Sequence, residues 1–389
     1  MKIPITKPFF GPEEAEAILK PLNSGWVVQG PFVKQFEDSL ASYMDARFCV
    51  ATSSCTTALH LAMAILGVKP GDEVIVPAFT WVSTANVVEY MGATPVFCDI
   101  DIQTFNLAPS SIEAHVTENT VGIIPVHLFG LCADMRPILD VAERHNLWVV
   151  EDAACALGAW CGEQHAGTMG DMGAFSFHPR KCVTTGEGGL LTTAREDYSL
   201  LASQLRDHGA NRTDIDRHHG AHGFLLPEFD SLGYNYRMTD LQASLGCVQV
   251  SRLGWVLAER NRRANRYLQN LSGNSALNLP RTPAGYTHGW QSFVCLFSPE
   301  PPSLDNVEDL HSRRNRLMAE LEERGIATRQ GTHAPGLQTY YKNKYGLSGE
   351  SFPKAYIADR LTLSLPLYPH MTDEEQDYVC SNLKECIDA

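Results

Sequence analysis

Apolar positions along the chain follow two rhythms. Near the start, Val33, Phe36, Leu40 and Tyr43 recur at helical spacing, which predicts a helix over 33–44. Gly11-Pro12-Glu13-Glu14 predicts an earlier helix start, with proline in the first turn and acids at the positive end of the dipole. From residue 48 the rhythm changes to short, nearly continuous apolar runs at 48–51, 73–77, 95–98, 121–126, 147–150 and 173–177. Such runs predict strands buried on both faces. Between them the pattern predicts helices at 58–66, from 80 onward, at 110–116 and at 134–145. This alternation implies an α/β fold, a mostly parallel sheet covered by helices on both faces. Further on come a helix over 200–207, a polar stretch at 209–230, and a helix over 241–271 interrupted by Gly246 and Gly254. A strand at 292–297, an amphipathic helix at 307–324 and a last helix after Asp373 complete the chain.

At 389 residues the chain exceeds one comfortable core. It divides into a large domain, 1–250, and a smaller C-terminal α+β domain, 251–389. A formal net charge of −14 argues against a general nucleic-acid or anionic-membrane binder, though not against a small anionic substrate. The eleven cysteines include no C-x-x-C pair, and Cys98 and Cys295 lie inside apolar runs. Buried, reduced thiols are expected, hence a reducing compartment. The first twenty residues, broken by prolines and soon acidic, do not read as a signal peptide, so a cytoplasmic location is expected.

Residues 170–189 concentrate the chemistry. The apolar run at 173–177 is stopped by Pro179, and Lys181 stands between it and the small-residue loop Thr184-Thr185-Gly186-Glu187-Gly188-Gly189. Most lysines are solvated surface charges. Here, however, the glycines allow backbone to approach a ligand closely. Upstream, the run at 147–150 ends on Glu151-Asp152. A lysine at one strand end and a carboxylate at another meet the needs of pyridoxal phosphate: an amine to bond the aldehyde, and an acid to keep the pyridine nitrogen protonated. The run Thr52-Ser53-Ser54-Cys55-Thr56-Thr57 joins a strand to a helix start, which suits a phosphate cradle or a plain N-cap.

Ser176-Phe177-His178-Pro179-Arg180-Lys181, the Thr184–Gly189 loop and Glu151-Asp152-Ala153-Ala154 together resemble the DegT/DnrJ/EryC1/StrS family. The resemblance spans nearly the whole chain and is densest over 50–250. It implies fold type I and a pyridoxal-phosphate-dependent aminotransferase that acts on keto sugars. By the same resemblance Lys181 and Asp152 are catalytic, and Thr56 and Thr57 hold the cofactor phosphate. Trp81, otherwise readable as core, stacks on the pyridine ring, and Ser176 joins the cofactor contacts. Gly233-Tyr234-Asn235-Tyr236-Arg237-Met238 is a second family motif, in which Asn235 reaches the cofactor phosphate of a neighbouring subunit. That implies a homodimer with shared sites. Arg237, Arg329 and His333, with Thr332 beside it, fall where relatives contact substrate.

Cys155 departs from the family, whose members often carry glutamine or histidine there. No catalytic role is assigned to it. His218, His219 and His222 lack companion ligands at zinc spacing, so no metal is expected and the 209–230 stretch reads as a mobile loop over the substrate. Lys181 must be neutral to act as a base, which burial and a nearby positive ring would favour. Lys181 also argues against the related sugar dehydratases, which carry histidine instead. The expected reaction moves an amino group from glutamate to a nucleotide-linked 4-keto or 3-keto deoxysugar. Arg212, Arg217 and Arg237 suit a diphosphate, but they equally balance Asp207, Asp214, Asp216 and Asp230. A cyclitol or other non-nucleotide ketone, or a cofactor-binding regulator without turnover, remain open.

Overall fold

Seven strands in the order β1-β9-β8-β5-β4-β2-β3 form the central sheet of the computed structural model, which describes residues 1–211 and 226–388. Helices α1 (Pro12–Ser24) and α2 (Pro31–Met44) precede β1 (Phe48–Thr52) and α3 (Cys55–Ile65). Then follow β2 (Glu73–Pro77), α4 (Ser83–Tyr90), β3 (Thr94–Cys98), β4 (Thr120–Ile123), α5 (Met135–His145) and β5 (Trp148–Asp152). Two short strands, β6 (Trp160–Cys161) and β7 (Gln164–His165), lead into β8 (Met172–Ser176), β9 (Gly189–Thr193) and α6 (Glu196–Leu205). The strands from β3 through β8 pair in parallel, whereas β9 runs against both β8 and β1. The carboxyl ends of β1, β2, β5 and β8 and the start of β9 therefore share one edge, where ligands of such sheets collect.

Period-two alternation sorts the apolar runs onto two faces. Val74, Val76, Val150 and Ala174 join one buried cluster, while Ile75, Val149, Phe175 and Leu190 join another. Both faces of the sheet are thus covered, as continuous apolar strands require.

After α7 (Asp240–Ser251) and α8 (Leu253–Asn270) come β10 (Leu277–Asn278), β11 (Tyr286–Thr287), β12 (Phe293–Phe297), α9 (Val307–Glu323), α10 (Thr339–Tyr345), α11 (Pro353–Leu361), β13 (Thr362–Leu365) and α12 (Asp373–Asp388). Strands β10, β12 and β13 form a second, antiparallel sheet. Its core includes Tyr267, Phe293, Leu363 and Leu383. Val294, Tyr341, Ala355 and Leu361 instead join the cluster on one face of the large sheet, so the C-terminal segment is packed against the first.

Two expectations need correction. The helix expected at 110–116 is a pair of single 3₁₀ turns, Pro109–Ser111 and Glu113–His115. Ser111 Oγ reaches the carbonyls of Asp99 and Ala108 at 2.9 and 2.7 Å, a side-chain alternative to helical bonding. The long helix at 241–271 breaks at Arg252, between α7 and α8, and not at its glycines. Gly246 lies inside α7, where a Cβ would stand 2.6 Å from Phe36 Cε2, so it permits close packing and causes no break. The polar stretch expected as a mobile loop, with Arg212, Arg217, His218, His219 and His222, lies largely outside the described residues.

Candidate active site

Lys181 is held at the carboxyl edge by the turn that follows β8. Its amide donates to the His178 carbonyl at 2.9 Å. The chain then folds back, with Thr185 N and Thr184 Oγ1 both bonded to the Phe177 carbonyl at 3.0 and 2.9 Å. Gly189 begins β9 directly against the start of α3, and a Cβ there would lie 2.2 Å from the Ser54 carbonyl carbon. Only glycine lets the two segments approach so closely.

Alternation along β5 sends its two terminal acids to opposite faces. Glu151 shares the face of Val149, where it is fully buried and accepts from the amides of Gly167, Met169 and Gly170 at 2.6–2.7 Å. His127 Nε2 completes this ring at 2.7 Å. Because His127 Nδ1 accepts from the Ala133 amide at 3.0 Å, its proton sits on Nε2 and is donated to Glu151. Glu151 is therefore an anchor. Asp152, 5% exposed, faces the cavity and accepts from Thr84 Oγ1 at 2.8 Å and from the Ala154 amide at 3.1 Å. Burial pushes its carboxyl pKa up, and the Thr84 and Ala154 hydrogen bonds offset this only in part.

Helix α3 starts with Ser54 as N-cap. Ser54 Oγ accepts from the Thr57 amide, and Thr57 Oγ1 accepts from the Ser54 amide at 3.0 Å. The amides of Cys55 and Thr56, the first two of the helix, have no partner among the described residues. They offer an anion site of the kind a helix N-terminus provides. Thr56 Oγ1 adds a hydroxyl, bonded to Ser83 Oγ at 3.0 Å.

These features converge on one cavity of about 480 Å³, whose walls include Thr56, Trp81, Asp152, Ser176, Lys181 and Arg329. Trp81 is 55% exposed, so it belongs to the cavity and not to the core. Four other expected site residues stand off its wall. The Thr57 hydroxyl is taken up by the helix cap. His333 pairs through its backbone with Thr80, and its ring centroid lies 6.1 Å from that of Trp81. Asn235 is exposed, bridging Asp207 through the backbone. Arg237, expected to bind substrate, is ion-paired with Asp207, which neutralises it away from the cavity.

The model of the DegT/DnrJ/EryC1/StrS aminotransferase family matches residues 9–384. The chain belongs to this family. It is 37% identical over 385 residues to the spore coat polysaccharide biosynthesis protein SpsC of Bacillus subtilis, covering 99% of this chain and 97% of that protein. It is 35% identical over 389 residues to the GDP-perosamine synthase of Caulobacter vibrioides, covering 99% and 98%. Among solved structures, the putative sugar aminotransferase Spr1654 from Streptococcus pneumoniae in its PLP form superposes with a TM-score of 0.91 at 31% identity, covering 100% of this chain and 99% of that one. The chain is thus a fold type I, pyridoxal-phosphate-dependent aminotransferase of the sugar aminotransferase group.

The residues present in this aminotransferase fit that cofactor. A buried carboxylate, an amine and two unpartnered helix amides border a cavity of suitable size for a small cofactor. Burial works against the charge of Lys181, as expected, while the Cys155 sulfur, Cys55 and Asp152 favour it, and in this structure the amine sits above the ordinary lysine range. Sequence reasoning missed two participants. Thr84 anchors Asp152, and Cys155 Sγ lies 3.0 Å from Lys181 Nζ. Thr84 lay in the expected helix start after β2. Nothing local signalled its reach to a strand 68 residues away.

Proposed function

We propose that this aminotransferase transfers an amino group from glutamate to a nucleotide-linked 4-keto or 3-keto deoxysugar. The observation that carries the reading is the shared cavity of Lys181, Asp152 and Arg329, in which Arg329 makes no ion pair among the described residues. An unpaired guanidinium there suits an anionic group of the substrate. The GDP-perosamine synthase relative, similar along its whole length, supports a nucleotide-linked acceptor. Arg237 lends less support than its position in the sequence implied, since Asp207 already meets its charge.

Pyridoxal phosphate, when bound, supplies an aldehyde to carry nitrogen and a ring that accommodates negative charge at the neighbouring carbon. The helix amides of Cys55 and Thr56 would hold its phosphate, with the Thr56 hydroxyl adding a donor. Trp81 offers a flat apolar face for the ring. Asp152 would hold a proton at the pyridine nitrogen. Lys181 Nζ would be the amine that holds the aldehyde and, when free, the base that carries a proton away from and back to the donor's α-carbon.

The test of the acceptor is a donor half-reaction with glutamate, followed by keto sugars with and without a nucleotide. A free nucleoside diphosphate is expected to compete with the linked sugar, and to compete less as salt rises. Equal turnover of an unlinked keto sugar or a cyclitol ketone would overturn the nucleotide reading.

We propose further that the enzyme is a homodimer with shared sites, each chain organised as a large domain over 1–250 and a small one over 251–389. Asn235 is exposed and stands off its own cavity, as a residue serving a neighbouring site would be. Arg237 and His333 would serve the substrate from the rim of the assembled site. Mixing inactive Lys181→Ala and Asn235→Ala chains is expected to restore part of the activity in hybrids. Full activity of a dilute monomer by light scattering and assay would contradict it. All eleven cysteines are free, which fits a reducing, cytoplasmic setting, and no helix among the described residues is long and apolar enough to cross a membrane.

A further inference from the structure

Strands β5 and β8 are parallel neighbours, so the loops that leave their carboxyl ends bring together residues 26 apart in sequence. The loop after β5 is a tight turn. The Ala156 amide donates to the Ala153 carbonyl at 2.9 Å, and the Ala154 amide donates to the Asp152 carboxylate. This turn presents Cys155 to the cavity, opposite Lys181. Lys181 Nζ donates to Cys155 Sγ at 3.0 Å, a short separation for nitrogen and sulfur. No other side chain or carbonyl among the described residues accepts from Nζ.

We propose that Cys155 is a positioning residue of this aminotransferase: its sulfur accepts the Lys181 hydrogen bond and thereby sets where the amine stands and how readily it loses its proton. The proposal rests on Lys181 being the amine that bonds pyridoxal phosphate. A sulfur is in general a weak acceptor, but this one stands directly opposite Nζ at close range, where it favours the charged amine. The other titratable groups that face Nζ are Asp152, Cys55, Cys182 and His178, with Arg180, Glu187 and Arg329 around the same cavity. Asp152 adds to the hold on the ammonium, while His178, when protonated, opposes it. Cys55 and Cys182 are buried, and burial raises both thiols, which leaves Cys155 as the partly exposed sulfur of the set.

The test uses the full-length chain freed of cofactor, to which pyridoxal phosphate is added over a range of pH while covalent capture is followed by absorbance. Capture needs the neutral amine. Removing the sulfur with Cys155→Ala is expected to move the rate profile to lower pH by about one unit, equal to about tenfold faster capture below the original midpoint. Cys155→Ser keeps a smaller hydroxyl acceptor, and is expected to shift the profile the same way by less. Profiles of both Cys155 variants that superpose on the unaltered one would overturn the proposal. If Cys155→Ala fails to fold, the Cys155→Ser profile decides the proposal by the same criterion. Failure of the unaltered protein to capture cofactor at Lys181 would instead remove the assignment beneath it.

Discussion

Lys181→Ala is expected to abolish transamination, lowering kcat by roughly 10⁴-fold or more, the upper range for a positioned proton-transfer group. The loss should be nearly complete because Lys181 is proposed to have two tasks, holding the aldehyde and moving the proton, and no other lysine among the described residues borders the cavity. The fold should survive. Lys181 contributes one hydrogen bond, to Cys155, and its main-chain turn does not depend on the side chain. Unfolding followed by circular dichroism should therefore show little change, while both half-reactions disappear. A variant retaining even a few per cent of turnover would refute the double role.

Asp152→Asn is the second large effect, an expected loss of roughly 10²–10³ in kcat, the range seen when one preorganised electrostatic contact is removed. An amide can fill the same space but cannot hold the pyridine nitrogen protonated. The stability consequence has the opposite sign. Burial raises the Asp152 pKa in the folded chain above its unfolded value. Its stabilising share is present below the ordinary aspartate range and is lost as pH rises through the folded value. At neutral pH the cofactor-free Asn variant should thus melt no lower than the unaltered chain, and any advantage should fade in acid. Near-native turnover, or a clear drop in melting temperature at pH 7, would contradict this assignment.

The strands that carry Lys181 and Asp152 were legible because their apolar runs are short, continuous and ended by distinctive residues. Glu73–Pro77 forms as the sequence implied, and Met172–Ser176 differs by one residue at each end. Local patterns could not reveal what the sheet order brings together. The Cys155–Lys181 contact depends on β5 and β8 being neighbours, and Thr84 meets Asp152 across the parallel sheet. For Arg237 a diphosphate and a nearby acid were equally open in the sequence, and its pairing with Asp207, thirty residues away, favours the acid. Where serine hydroxyls compete for backbone bonds, as at Ser111, helical periodicity misled. Gly254 misled for a different reason: it is simply accommodated within α8.

The most direct measurement is borohydride reduction of the enzyme reconstituted with pyridoxal phosphate, followed by peptide mapping of the fixed cofactor. The label is expected on Lys181 alone, with loss of the visible absorbance band. A label on any other lysine, or none at all, would contradict the assignment of Lys181 on which the proposed function stands.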